Sequence, residues 1–390
     1  MELDTLYTRL RSLTVFRFLL REPVMEAAAA LVDAMSQNDA QETVIHWAEL
    51  VSLLQNAGAP VLGQWLWDAV RYTENPWGAM VEAGGDDPAL DAAAARDVDT
   101  LSALCTLSVG VFYGDLDLIK DLPEWADGCP FTLDALKDWY AAHGCGLFAR
   151  YRAFLWDGGK LLGVERPDIP DPAHLIGYRL QRGQVEDNTH SLLAGNRVNN
   201  VLLFGDSGTG KSATVKSLLS LPGAEELRLI EIEKNSVHDM PALIRSLAHR
   251  RQKFILFLDD LAFDEDDMNY SVLKTILEGG LEPRPANVAI YATSNRRNLV
   301  RQTFSSREGD EVDRDETIQE KTALADRFGL RIPYLSFTKG EYLELVEHLA
   351  AQAGVDLPPE QLTARAVRWD ARHPGRSPRT AQQFIASLLA

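Results

Sequence analysis

Eight consecutive residues, Gly205-Asp206-Ser207-Gly208-Thr209-Gly210-Lys211-Ser212, have the spacing of a loop that cradles phosphate. Glycines let the backbone curl against phosphate oxygens with no Cβ in the way. Lys211 would reach the β- and γ-phosphates of a nucleoside triphosphate, and the Ser212 hydroxyl would ligate Mg2+. The loop has the right flanks. Val201-Leu202-Leu203-Phe204 before it is a short apolar strand, and Ala213 to Leu221 after it is a helix. That order aims backbone N–H groups at an anion.

A second chemical group lies about 47 residues later. Phe254-Ile255-Leu256-Phe257-Leu258 is an apolar strand that ends in Asp259-Asp260. A carboxylate at a strand tip beside a phosphate loop can hold Mg2+ through water, which is the role expected of Asp259. The next one, Asp260, can polarise an attacking water. A further strand, Val288 to Thr293, delivers Asn295 as a polar group to orient that water. Leu324-Ala325-Asp326-Arg327-Phe328 precedes the last expected strand, Leu330 to Phe337. Thr338-Lys339-Gly340-Glu341 is a capping box, and two more helices are expected over 359–372 and 378–389. The last one opens at Arg376-Ser377-Pro378-Arg379.

The elements around these groups suggest several parts. Residues 1–165 are mostly helical by periodicity: Leu3, Leu6, Leu10, Leu13, Phe16 and Leu20 recur at three- and four-residue steps. Further helices are expected near 25–35, 43–54, 63–72, 97–112 and 133–143. Gly58-Ala59-Pro60, Asn75-Pro76 and Gly84 to Pro88 break them. Asp157-Gly158-Gly159 between Phe154-Leu155-Trp156 and Lys160-Leu161-Leu162 is a β-hairpin signal. Seven of the eight tryptophans lie before residue 160. Core filling in helical hairpins is the favoured reading, and an aromatic docking surface is the alternative. The three prolines of 166–172 exclude helix and mark a linker there. The remainder divides into a nucleotide-binding part, 173–337, and a helical part, 338–390.

A net charge of −18 argues against a chain that grips nucleic acid over a broad face. No run of about 18 apolar residues is present, so no membrane span is expected. The first 30 residues lack a signal-peptide pattern, and Cys105, Cys129 and Cys145 share no metal spacing. Both point to a cytoplasmic location. The acidic run Asp264-Glu265-Asp266-Asp267 reads as a helix start, and Ser305 to Gln319 as a polar loop. Arg296-Arg297 has two readings, a phosphate or nucleic-acid contact and a solvated loop. Tyr270 stands where a pore loop would lie, or packs in its helix.

Together these motifs resemble the AAA+ P-loop ATPases. Residues Asn199 to Phe337 are closer still to a bacterial family of ATP-binding proteins catalogued as domain of unknown function 815. The residues that carry this likeness are Asn199 to Gly205, Asp259-Asp260-Leu261, Leu277-Glu278-Gly279-Gly280-Leu281-Glu282, Ala292 to Arg297 and Asp326 to Leu330. The resemblance covers roughly 172–390. It implies ATP and Mg2+ as ligands, a mainly parallel sheet of order 5-1-4-3-2, a helical lid and a homo-oligomer, a hexamer by analogy. It implies that Asp259 is the Mg2+ carboxylate, Asn295 sensor 1, Arg327 an arginine finger and Arg379 sensor 2. Ile176-Gly177 would be the adenine-side box. Salt-bridge pairing with Asp326 is the alternative for Arg327, and Arg376 is the rival of Arg379. Asp260 departs from the commoner Glu, so the water must sit closer and hydrolysis is expected to be slow. The functional expectation is an ATPase that works on a protein client recruited by the N-terminal part. A slow nucleotide-dependent switch and a nucleic-acid-handling ATPase are the alternatives, the last disfavoured by the charge.

Overall fold

The computed structural model describes residues 2–59, 61–107, 131–263, 268–279, 283–295, 324–373 and 375–389. Cys129 and the expectations on 264–267, 280–282, Arg296-Arg297 and 305–319 lie outside the described residues. The chain divides into two compact units, Met1–Arg150 and Tyr151–Ala390.

The first unit is helical: α1 (Leu3–Arg11), α2 (Pro23–Ser36), α3 (Ala40–Asn56), α4 (Leu62–Tyr72), α5 (Pro76–Glu82), α6 (Pro88–Cys105), α7 (Leu133–His143) and α8 (Leu147–Arg150). Two expected breaks are also starts. Asn75 accepts from the Gly78 amide with Pro76 at the first helical turn, and Asp87 accepts from the Ala89 and Leu90 amides ahead of α6. A side-chain acceptor before a proline caps orphan amides that the ring does not need. Trp47 and Trp77 are buried, and Phe16 and Tyr140 meet Trp77 edge-on at 6.4 and 5.5 Å. Asp97, wholly buried, accepts from the backbone amides of Thr14, Val15 and Phe16 and fixes the turn after α1.

The second unit is built on a seven-stranded sheet. Its strands are β1 (Ala153–Asp157), β2 (Lys160–Gly163), β3 (Val201–Gly205), β4 (Leu227–Ile232), β5 (Lys253–Leu258), β6 (Val288–Ser294) and β7 (Leu330–Tyr334), in the order β2-β1-β4-β5-β6-β3-β7. All neighbours are parallel except β1 and β2. Counted from the phosphate-loop strand, β7-β3-β6-β5-β4 has the order 5-1-4-3-2. The difference from expectation is the added hairpin, which extends the sheet beyond β4. Gly158 and Gly159 both take positive φ, +54° and +78°, as a two-residue hairpin turn requires. β1 then pairs with β4 through the Ala153–Leu229 to Trp156–Ile232 register. The hairpin therefore belongs with the sheet, and the division between units falls at Arg150, ahead of the proline-rich 166–172 where the sequence suggests a boundary. The physical reason is the β1–β4 ladder: backbone hydrogen bonds of a strand outweigh a run of prolines that lies farther along.

Helices complete this unit: α9 (Arg179–Leu193), α10 (Lys211–Ser217), α11 (Met240–Leu247), α12 (Met268–Glu278), α13 (Lys339–Gln352), α14 (Pro359–Arg372) and α15 (Pro378–Leu389). The last three share their own core of Tyr342, Leu345, Val346, Leu362, Ala366, Phe384 and Ile385. Thr338 and Glu341 form the expected capping box, and the bonds from Thr338 hold the Glu341 carboxyl below its usual range. β7 ends at Tyr334, short of the expected Phe337.

Candidate functional site

The phosphate loop leaves β3 at Gly205 and enters α10 at Lys211. Gly205 has φ +136°, and a Cβ there would lie 2.1 Å from the Tyr334 carbonyl oxygen. The loop is therefore pressed against β7, and Asp206 donates its amide to that same carbonyl at 2.9 Å. Gly208 and Gly210 also take positive φ, +76° and +91°. Thr209 Oγ1 closes the turn by donating to the Asp206 carbonyl at 2.9 Å. Ser207 is exposed on the rim and Ala213 half-buried in the first turn of α10.

Lys211 is 6% exposed. Its Nζ donates to the carbonyls of Gly205 at 3.2 Å and Asp206 at 2.6 Å, and to Asn295 Oδ1 at 2.9 Å. Burial pushes its pKa down, Asp206, Asp260 and Asp259 pull it back up, and Arg379 adds to the fall. Three carboxylates around one buried ammonium leave a place that a polyanion must enter with its own counter-charge.

Asp259 Oδ1 is the hub of the opposite wall. It accepts from Ser212 Oγ at 2.6 Å and from Thr293 Oγ1 at 2.5 Å. Thr293 Oγ1 in turn accepts from the Asp260 amide at 2.9 Å. Asp260 has φ +49°, a conformation that costs a residue with a Cβ about 1–2 kcal/mol. Asn295 Nδ2 donates to Asp260 Oδ1 at 2.6 Å. Sheet order explains the constellation: β6 lies between β5 and β3, so Asn295, one residue past β6, bridges Asp260 on one side and Lys211 on the other. Thr293 was not singled out by the sequence as a site residue. Its only signal is a hydroxyl, beside that of Ser294, at the end of a buried and mostly apolar strand.

The structure separates the two lid arginines. Arg376 pairs with Asp370 at 2.9 Å. Arg379 donates its backbone amide to the Gly208 carbonyl at 3.3 Å, and its side chain lies over that glycine. Asp206 Oδ2 also accepts from the Ser336 amide at 2.7 Å. Ile176 packs against the lid core, and Gly177, at φ +83°, faces Phe337. These residues line a cleft of about 610 Å3 with Tyr178, Arg182 and Glu341. Tyr178 stacks on Phe337 and Tyr334 at 4.7 and 4.8 Å. Arg327 lies apart from the phosphate loop and pairs with Glu278 at 2.9 Å, whereas Asp326 is taken by Arg331 at 2.6 Å. Tyr270 packs edge-on against Phe263 at 5.8 Å.

No cluster of three or more His, Cys, Asp or Glu side chains among the described residues has the geometry of a metal cage. The Ser212–Asp259 pair nevertheless fits Mg2+. It offers one hydroxyl and one carboxylate oxygen, and Mg2+ takes its remaining positions from phosphates and water.

The family described as "Protein of unknown function (DUF815)" matches residues 149–390. The chain belongs to that family. The DUF815 match begins within two residues of the second compact unit, so family segment and folding unit coincide. Its fold is α/β, with a mostly parallel seven-stranded sheet and the phosphate loop at the end of β3. No curated protein matches the chain. Among solved structures, the Thermotoga maritima RuvB Holliday junction branch migration motor is 17% identical with a TM-score of 0.38, covering 57% of this chain and 64% of that one. The Aeropyrum pernix ORC1 protein in complex with DNA is 16% identical with a TM-score of 0.37, covering 57% and 61%. The chain thus spans less than two thirds of each, and likenesses this loose carry no argument about what the DUF815 chain does. No described helix is long and apolar enough to cross a membrane.

Proposed function

We propose that this chain binds Mg-ATP between the phosphate loop and the Asp259-Asp260 carboxylates and hydrolyses it. The observation that carries this reading is the single Asn295 side chain that touches both Lys211 and Asp260. Lysine can only donate and an ionised carboxylate can only accept, so the amide is oriented by its two neighbours. A group so placed senses whether a γ-phosphate lies between them. Lys211 exchanges its carbonyl partners for phosphate oxygens. Asp260 takes the proton side of the attacking water, with Asn295 fixing the angle of approach. Ser212 and Asp259 would hold Mg2+, which would supply charge neutralisation on the transferring phosphoryl group. Arg379 brings lid charge to the loop, and the Ile176-Gly177 cleft takes the base.

The lid meets the loop through Arg379 and Gly208, and the segment between β7 and the lid meets it through Ser336 and Asp206. Loss of phosphate would therefore pull on the lid directly. We infer that this motion remodels or loads a protein partner recruited by the N-terminal unit, in a homo-oligomer whose Arg327 acts on a neighbour. The short Asp260 side chain supports a second reading, a slow nucleotide-dependent switch with the same site. Net charge −18 keeps nucleic acid a lesser candidate partner. The test is affinity capture with Asp260→Asn in Mg-ATP. The variant should hold ATP and a partner protein together; capture identical to that of the nucleotide-free chain would sink the coupling.

A further inference from the structure

We propose that Glu278 is a positioning residue for Arg327, holding the guanidinium in the unassembled subunit and yielding it to the nucleotide of a neighbouring copy. This rests on the reading of Arg327 as a group that acts in trans.

The pair is Arg327 Nη2 to Glu278 Oε1 at 2.9 Å, with the two side chains 48% and 35% exposed. Glu278 is the last residue of α12. A carboxylate there meets the negative end of the helix, so helix formation itself does not favour it. Its surroundings account for it instead. The pair lines a cleft of about 340 Å3 that also contains Arg197, Asn199, Arg284 and Gly329. Arg284 is committed within its own chain, to Asn200 Oδ1 and the Val198 carbonyl. Arg197 is exposed; burial lowers the Arg284 pKa, and the charge of Arg197 adds to that fall. Among the described residues, three guanidinium groups thus line a cleft with one carboxylate, and that carboxylate is on Arg327. The acid beside Arg327 in the chain, Asp326, is engaged by Arg331.

Such a pair is weak enough to exchange. Half-exposed ion pairs are screened and contribute little, whereas a triphosphate offers a guanidinium more charge and several acceptor oxygens. The helix that carries Glu278 is also tied to the carboxylates of its own site. Phe263, three residues beyond Asp260, packs on Tyr270 in α12. The turn that carries Asp260 thus touches the helix whose last residue, Glu278, holds the arginine offered to the neighbour.

The experiment uses the full chain with Glu278→Gln, Arg327→Ala and the double variant. ATP turnover is measured against protein concentration, and association with Mg2+ and a non-hydrolysable ATP analogue is followed by sedimentation. Glu278→Gln removes the restraint. The concentration needed for half-maximal specific activity, and for association, should fall about two- to fivefold. Turnover at saturating protein should not change. The ratio to wild type should approach one near 1 M salt, where screening removes the pair, and the double variant should match Arg327→Ala. A Glu278→Gln chain that needs as much protein as wild type, or more, overturns the proposal, as does a shift that persists without Arg327. If Arg327→Ala turns over at full rate, the trans reading falls and the role of Glu278 with it. If Arg327→Ala is inactive and Glu278→Gln behaves as wild type, only Glu278 is wrongly assigned. A wild-type chain that stays monomeric with the analogue overturns both.

Discussion

Asn295 donates to Asp260 at 2.6 Å across the end of the sheet. This bond occupies the carboxylate proposed to act on water, so Asp260 is presented and restrained by the same amide. Asp260→Asn should retain Mg-ATP binding and lower turnover by about 10²–10⁴, the range for a lost general base. Unchanged turnover, measured by phosphate release, would remove Asp260 from the chemistry.

Lys211 gives a prediction with a sign. Its pKa lies below the ordinary lysine range because burial penalises the ammonium. A base whose folded pKa is depressed destabilises the fold while it stays charged, below that pKa, and the cost is relieved as pH rises toward the unfolded value. Lys211→Met should therefore melt no lower than wild type without nucleotide at neutral pH, yet lose ATP binding by calorimetry. A lower melting temperature together with retained binding would contradict both halves.

Gly205 and Gly210 should respond differently to alanine. Both have positive φ, but only at Gly205 does the added Cβ strike backbone, 2.1 Å from the Tyr334 oxygen, and at Gly210 nothing lies within 4 Å. Gly210→Ala should cost about 1–2 kcal/mol of strain. Gly205→Ala must also move β7 away from the loop, at more than about 3 kcal/mol. Denaturant melts that rank them equally would show that the β3–β7 contact yields easily.

The unit boundary is testable with two fragments. Tyr151–Ala390 should fold and bind ATP. A fragment from about Asp171 lacks β1 and β2, leaves the β4 edge unpaired and should aggregate or melt well below the longer one. Equal stability of the two would place the hairpin outside the folding unit.

Arg327 should act on a neighbouring subunit. Arg327→Ala should bind ATP and hardly hydrolyse it, a loss of about 10³-fold. Lys211→Ala should be inactive for want of nucleotide. Mixed and allowed to exchange, the two should recover part of the activity. No recovery would put Arg327 to work within its own chain.

The chemistry of the loop and its carboxylates was legible from residue types alone, because phosphate binding demands glycines, a lysine and a hydroxyl at fixed local spacing. Asp259-Asp260 and Asn295 were legible for a similar reason, since each ends an apolar run that must be a buried strand. Contacts between distant residues were decided only by the fold. The turn residues Asp157-Gly158-Gly159 marked the hairpin but not its partner; the ladder between Ala153 and Leu229 put it in the sheet and moved the boundary to Arg150. Two arginines stood close together at the start of α15. Asp370 took Arg376, which left Arg379 over Gly208. Thr293 had no local signal, because its partner lies on the neighbouring strand, and Glu278 stood in a family motif with no role attached, because the arginine it meets lies far along the chain. Local spacing is written in the chain, whereas a partner's identity depends on which strands become neighbours, and that is set by packing of the whole sheet.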